Sequence, residues 1–324
     1  MNDRFFVEFS RENSEAAKFE LLTVEKSSHS FTTAVLEDQF AIVEGRPDYI
    51  MDCSFVNYVS KILEQKESYH DFTDTYLPEG SFFTRVKDFD ACHNANSEPE
   101  IGRIIKGDHT VTFKNPDFKV RAIHAGSWYL SVVVYEKDKK SMEARRAPLR
   151  PFFSPIAIHP KYARYLVNTT ETKPKDTILD PFCGTGGILL EAGLMGRRIK
   201  GNDFSLNMVK GARLNLKYFN LKDYTILNRD IADLELDTSV DGIATDLPYG
   251  RNSNMKAESL RDLYRTAFAK FHELLKPGGV ASIIISDTDL LVFADGLFES
   301  GKIVGVPQHR SLTRYFVHLK KLDT

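Results

Sequence analysis

Between Thr177 and Lys320 short apolar runs alternate with helical stretches, and the first run passes directly into a glycine-rich turn, TILD followed by PFCGTGG. Parallel strands cannot be joined by tight turns and need a crossover, usually a helix, so this rhythm restricts the chain to a sheet with helices on both faces. Strands are expected at TILD (177–180), RIKGND (198–203), YTILN (224–228), VDGIATD (240–246), GGVASIIIS (278–286) and TRYFVHLK (313–320). Helices are expected over 186–195, 205–219, 258–275 and 290–299. The fold class is α/β, a doubly wound Rossmann-like sheet that binds its ligand beyond the carboxyl ends of the strands.

The turn itself is Asp180-Pro181-Phe182-Cys183-Gly184-Thr185-Gly186-Gly187. Glycine lets a backbone turn sharply and approach a ligand closely, and the helix that follows offers free N–H groups and a positive dipole end to an anion. A nicotinamide dinucleotide would use the same geometry, but its G-x-G-x-x-G pattern needs glycine at position 189, which is Leu189. An acid opening the turn, Asp180, suits a ligand that carries an ammonium better than a pyrophosphate. The methionine end of S-adenosyl-L-methionine has that ammonium and also a carboxylate for the helix end. Asp203, closing the second strand, is placed to accept from both ribose hydroxyls. Asp230, after the third, is placed to reach the adenine amine. Phe182, Cys183, Gly184, Thr185, Gly186 and Gly187 line the cradle, with Cys183 as a small wall residue and not a nucleophile.

The fourth strand ends in Asp246-Leu247-Pro248-Tyr249-Gly250. Exocyclic amines of purines are poor nucleophiles because their lone pair is delocalised, so a site that alkylates them needs acceptors aimed at the N–H bonds. Asp246 supplies a carboxylate. The carbonyl of Leu247 supplies a second acceptor, with its direction set by Pro248, whose ring restricts the residue before it. Tyr249 offers a flat face to a base swung out of its helix. No cysteine accompanies this tetrapeptide, so a covalent cytosine mechanism lacks its nucleophile.

The front of the chain reads differently. FFVEF (5–9), a helix over 12–22 and two strands within 33–45 precede Phe55, Val59, Ile62 and Leu63, whose spacing predicts another helix. SFFTRVKDF (81–89), a helix over 98–106, HTVTF (109–113), DFKVRAIH (117–124) and WYLSVVVY (128–135) follow, with Trp128 expected in the core. The charged run 136–150 reads as a linker. Net charge is -2, but residues 1–80 carry 7 Lys/Arg against 16 Asp/Glu, while residues 81–150 carry 13 against 9. That places an acidic front ahead of basic surfaces able to meet nucleic acid. Arg85, Lys87, Arg103, Lys106, Lys119 and Arg121 are candidate phosphate contacts, as are Arg251, Arg310 and Arg314 beside the catalytic half. His159 and His309 are expected to be structural.

DPFCGTGG, DLPYG and KPGG (276–279) resemble the amino-methyltransferases, whose tetrapeptide is Asp/Asn-Pro-Pro-Tyr/Phe; Leu247 is the departure. RPFFSPIAIHPKYARYLVN (150–168) and QHRSLTRYF (308–316) are similar to the flanks of the archaeal tRNA guanine-10 N2-methyltransferases. GRIIKGDHTVTFKNPDFKVRAIH (102–124) resembles a THUMP domain, which a small ferredoxin-like domain usually precedes. The resemblance implies a ferredoxin-like domain at 1–55, a THUMP RNA-binding domain at 56–136, a linker at 137–152 and a methyltransferase domain at 153–324. It implies mono- and dimethylation of the N2 amine of guanosine 10 in tRNA. Asp246, Pro248 and Tyr249 would carry the chemistry, and Asp180, Gly184, Gly186, Asp203 and Asp230 would hold the cofactor.

An N6-adenine methyltransferase of the same fold and a non-catalytic RNA-binding protein are the competing readings. Three cysteines, far apart, argue against a disulfide framework or a thiolate zinc site, and no metal is expected. The charged start MNDRFFVEFS and the lack of a long apolar run point to a cytoplasmic protein outside the membrane. Nothing in the sequence requires a protein partner beside the tRNA.

Overall fold

The computed structural model describes residues 3–74, 76–91, 97–155, 157–249, 257–309 and 312–323, with side chains left undescribed at 257, 258, 308, 309 and 312. It divides into two compact units: Met1–Lys18, His29–Met51 and Phe55–Lys137 form one, and Phe19–Ser28, Asp52–Ser54 and Asp138–Thr324 the other.

The first unit is built on one eight-stranded sheet. In chain order its elements are β1 (Arg4–Phe9), the start of α1 (Ser14–Ser28), β2 (Phe31–Leu36), β3 (Phe40–Gly45), β4 (Val56–Lys66), β5 (Ser81–Asp88), α2 (Ser97–Ile104), β6 (Thr110–Val111), β7 (Phe118–Ala125) and β8 (Ser127–Glu136). Their spatial order is β2-β3-β1-β4-β8-β7-β5-β6. Trp128 is buried with Phe72, Phe82, Ile101, Ile105 and Leu130, as expected of a residue opening an apolar strand.

The helix expected at 55–63 is instead the central strand β4, paired with β1 on one side and β8 on the other. The reason is visible in its register, which shifts between Val59 and Ser60 and again between Ile62 and Glu64. The first leaves the extra residue, Val134, on β8; the second leaves Leu63 extra on β4, as a further shift opposite β1 does Asn57, and these two break the two-residue alternation of β4. Buried Val56, Val59, Ser60 and Glu64 then fall three, four and eight residues after the first, which imitates a helical stripe.

The second unit contains α3 (Lys139–Glu143), α4 (Pro160–Asn168), β9 (Thr177–Asp180), α5 (Gly187–Leu194), β10 (Arg198–Asn202), α6 (Leu206–Tyr218), β11 (Tyr224–Leu227), β12 (Val240–Asp246), α7 (Ala257–Leu274), β13 (Leu275–Ile285), β14 (Phe298–His309) and β15 (Leu312–Lys321). Its sheet has the order β11-β10-β9-β12-β13-β15-β14. The first five of these strands are parallel, and β15 and β14 close the sheet antiparallel. The chain winds outward from β9 through β10 and β11, then returns to the other side of β9 with β12. The order therefore reverses between β9 and β12, and the ligand crevice of such a sheet opens there. On α7, Tyr264, Ala267, Phe268, Phe271 and Leu274 recur at three- and four-residue spacing, and all five are buried.

The helix expected at 290–299 is a short 3-10 turn, Thr288–Ala294, followed by the edge strand β14. Leu290, Ala294 and Phe298 mimic a helical repeat, but Gly296 takes a φ of 76°, which ends the turn. Gly301, Gly305 and Pro307 hide the strand in sequence. An outer edge tolerates them because one side of the strand makes no ladder.

The charged run at 136–150 is folded: α3 lies within it, and Arg145 and Arg150 are buried. Arg145 Nε donates to Glu191 Oε1 at 2.7 Å and its Nη2 to Oε2 at 3.1 Å, while Arg164 Nε reaches the same Oε2 at 3.1 Å. Glu191 is fully buried, and the two guanidiniums offset the cost of burying its carboxylate. Glu191→Gln should therefore lower the unfolding free energy by about 3–5 kcal/mol, read from urea denaturation. A loss within error of zero would show that the buried arginines are relaxed by water instead.

Candidate active site

Asp180 ends β9 and is almost wholly buried. Its Oδ1 accepts from the Phe182 N–H at 3.2 Å and from Thr245 Oγ1 at 2.6 Å. Thr245 is the penultimate residue of β12, so one hydroxyl ties the glycine turn to the tetrapeptide strand across the sheet's reversal point. Burial pushes the Asp180 carboxyl up to about 8, the Thr245 and Phe182 donors oppose it, and the charges of Asp203 and Asp246 add to the rise.

Asp203 follows β10, and backbone donors hold both of its oxygens: Gly184 N–H to Oδ2 at 2.9 Å and Ser205 N–H to Oδ1 at 2.8 Å. Burial raises its pKa against those two donors. Each oxygen keeps a second lone pair directed elsewhere. Asn202 was not singled out in the sequence, yet it is the clamp of this edge. Its Nδ2 donates to the carbonyls of Pro181 and Arg229, and its Oδ1 accepts from the Arg229 N–H. Asn228 adds donations to the carbonyls of Asp203 and Phe204. Asp230 stands in the next loop, exposed, with Oδ1 accepting from the Ala232 N–H at 3.0 Å.

The turn is open where a ligand would lie. Gly184 and Gly186 take φ of 50° and 78°, and a Cβ built on Gly184 meets none of the described residues within 4 Å. Gly186 caps α5 without any side chain to satisfy the helix's first N–H groups. Thr185 is buried, and its carbonyl accepts from Asn215 Nδ2. Phe182 packs back against the core of α7 and so leaves the cradle clear. Cys183 is buried, and burial first, then Asp180 and Asp203, pushes its thiol well up, which removes it as a nucleophile.

Asp246 ends β12 in register with Ile284 of β13, which pairs with Phe316 of β15. Because β15 runs the other way, Arg314 projects at the same edge; its Nη2 lies 3.7 Å from Asp246 Oδ2. Arg314 also stands over the Tyr249 ring, 5.6 Å from its centroid. The Tyr249 hydroxyl donates to Asp246 Oδ1. Burial pushes the Asp246 carboxyl up to about 7, and Arg314 pulls it down. Leu247 is buried and continues the ladder, its N–H donating to the Ile284 carbonyl at 3.0 Å. Tyr264 Oη donates to the Pro248 carbonyl at 3.3 Å. The tetrapeptide backbone is thus fixed from β13 and from α7.

The remaining candidates divide. Arg314, expected at RNA, faces the Asp246 carboxylate. Arg85 Nη1 bonds Glu98 at 2.6 Å and lies over the Phe83 and Phe113 rings; Lys87 lies over Phe89. Arg103 and Lys106 are exposed. Arg121 does not belong to a surface patch, because it is buried and paired with Glu8 at 2.6 Å. Lys119 is bound to Glu136. His159 caps α4, its Nδ1 accepting from the Lys161 N–H, so its role is structural as expected. Arg251, Arg310, Cys92 and the His309 side chain lie outside the described residues.

Residues 148–303 match the family model of the RMKL-like methyltransferase domain. The chain is 37% identical over 245 residues to the tRNA (guanine(10)-N2)-dimethyltransferase of Methanothermobacter thermautotrophicus, covering 72% of this chain and 71% of the relative. It is 34% identical over 290 residues to that of Pyrococcus abyssi, covering 87% and 83%. Among solved structures, TrmN from Thermus thermophilus superimposes with a TM-score of 0.57 at 20% identity, covering 98% of this chain and all of the other (100%). SMU.472, complexed with SAH, does so with a TM-score of 0.54 at 16% identity over 100% of both chains.

A carboxyl held near 8 in the free protein must give up its proton to receive an ammonium. Affinity for S-adenosylhomocysteine should therefore rise with pH up to about 8, by as much as about tenfold per unit, with proton release visible as buffer-dependent heat in calorimetry. Asp180→Asn should bind weakly and flatten that pH dependence; a wild-type affinity independent of pH would show that Asp180 does not meet the ligand's charge.

Proposed function

We propose that this chain, which belongs to the tRNA (guanine(10)-N2)-dimethyltransferase family, methylates the exocyclic N2 amine of guanosine 10 in tRNA, once and then again. The observation that carries this reading is the placement of the Asp246 carboxylate at the reversal point of the sheet, joined to Asp180 of the open glycine turn through Thr245.

The cofactor, S-adenosyl-L-methionine, supplies when bound a methyl group made electrophilic by its sulfonium. The chain's residues fit it: Gly184 leaves an open cradle, Asp180 offers a buried carboxylate to the ammonium, and Asp203 and Asp230 stand at successive strand ends for the nucleoside. Asp246 and the Leu247 carbonyl accept from the two N–H bonds of the guanine amine, which keeps electron density on nitrogen. The Tyr249 hydroxyl occupies Asp246 Oδ1 in the free protein, so the amine takes over that position and the ring is released to stack on the base. Arg314 keeps the carboxylate ionised, and Asp246 is the first acceptor of the proton that the amine sheds.

No step calls on a metal ion or a second protein. The THUMP-like residues 56–136 would hold the tRNA, with Arg103 and Lys106 exposed to phosphate and Arg85 and Lys87 beside aromatic rings. Among the described residues no helix is long and apolar enough to cross a membrane, and we place the enzyme in the cytoplasm with its substrate.

Unmodified tRNA transcript incubated with the enzyme and cofactor should yield N2-methyl- and N2,N2-dimethylguanosine at position 10 on nucleoside analysis. Methyladenosine in its place would contradict the proposal. Asp246→Ala should retain S-adenosylhomocysteine binding while kcat falls by about 100-fold or more. Because the acceptor must be ionised and burial holds it near 7, wild-type kcat at saturating cofactor should fall with decreasing pH below about 7. A flat profile there would remove Asp246 from the rate-determining step.

A further inference from the structure

Around Glu191 the buried charges do not balance. That carboxylate is already shared by Arg145 and Arg164, and Arg164 has a further partner in Asp52 at 3.1 Å. A third guanidinium, Arg150, is 5% exposed in the same region. Its Nε donates to the Arg145 carbonyl at 2.8 Å, but Nη1 and Nη2 have no hydrogen-bond partner among the described residues. A buried charged donor that the protein itself leaves unsatisfied is costly, so such a fork marks a place where an anion arrives.

The position of that fork says which anion. Gly187 is the first residue of α5, and a Cβ built on it would lie 2.9 Å from Arg150 Nη1. The guanidinium therefore rests against the opening turn of an eight-residue helix whose cap, Gly186, supplies no side-chain acceptor. Helix N–H groups and a planar two-toothed cation converge on one spot, which matches the shape of a carboxylate. It also explains the third glycine of the GTGG turn, since any side chain at 187 would meet the arginine.

We infer that Arg150 is the group that recognises the carboxylate of the cofactor's methionyl end, together with the first N–H groups of α5. The inference rests on the reading of the turn as a site for S-adenosyl-L-methionine. It assigns a cofactor-binding role to a residue from a stretch that sequence alone presents as a charged connector.

Calorimetric titration of the full chain with three ligands tests it: S-adenosylhomocysteine, its methyl ester, and 5′-methylthioadenosine, which has the same nucleoside and no amino-acid end. Wild type should bind S-adenosylhomocysteine roughly 10- to 100-fold more tightly than the ester. Arg150→Gln should lose that preference while binding 5′-methylthioadenosine as wild type does, and Arg150→Lys should recover part of it. The comparison of acid and ester on wild type stands even where a variant fails to fold. Equal wild-type affinity for acid and ester would overturn the inference, as would an Arg150→Gln protein that weakens for all three ligands by one factor. Wild type binding none of the three would instead refute the cofactor site itself.

Discussion

The hydrogen bond from Thr245 to Asp180 joins the two strands between which the sheet reverses its order. A parallel sheet directs all its strand ends to one edge, and at a reversal the connecting helices leave in opposite directions, so a gap opens. In this chain the gap is lined by acids brought by backbone geometry: Asp180 from β9, Asp203 after β10 and Asp246 from β12. Burial raises the pKa of all three carboxylates, the charges of Asp203 and Asp246 add to the rise at Asp180, and the protein tolerates this because each is held by specific partners. Thr245 and Phe182 hold the first, Gly184 and Ser205 the second, and Tyr249 and Arg314 the third.

That arrangement stores unmet electrostatic demand. A ligand bearing an ammonium relieves Asp180, and an amine bearing two N–H bonds relieves Asp246. The same logic holds with opposite sign at Arg150, where two buried guanidinium nitrogens have no hydrogen-bond partner among the described residues. The free protein is thus pre-organised around the charges of what it binds, so that little reorganisation remains for the bound state.

Much of this was legible in the sequence because glycine and proline have few uses. The PFCGTGG turn and the DLPYG tetrapeptide located the cofactor loop and the catalytic strand end, and the spacing of acids along β9, β10 and β12 followed from the strand rhythm. The misses have physical causes. Extra residues at Asn57 and Leu63 gave β4 a helical spacing, and Gly301, Gly305 and Pro307 concealed the edge strand β14. Thr245, Asn202 and Tyr264 act through contacts between residues distant in the chain, which no local pattern reveals. Arg314 and Arg121 were visible as charges only; that one faces the Asp246 carboxylate and the other a buried glutamate depends on strand register.

The most direct test of the central claim is a crystal structure of the enzyme with S-adenosylhomocysteine and a guanosine-containing RNA substrate. The account predicts the Asp246 carboxylate and the Leu247 carbonyl within hydrogen-bond range, ~2.7–3.2 Å, of the guanine N2 amine, with Tyr249 moved off the carboxylate and stacked on the base. A complex in which Asp246 stays bound to Tyr249 and Arg314 while the guanine amine meets other acceptors would contradict it.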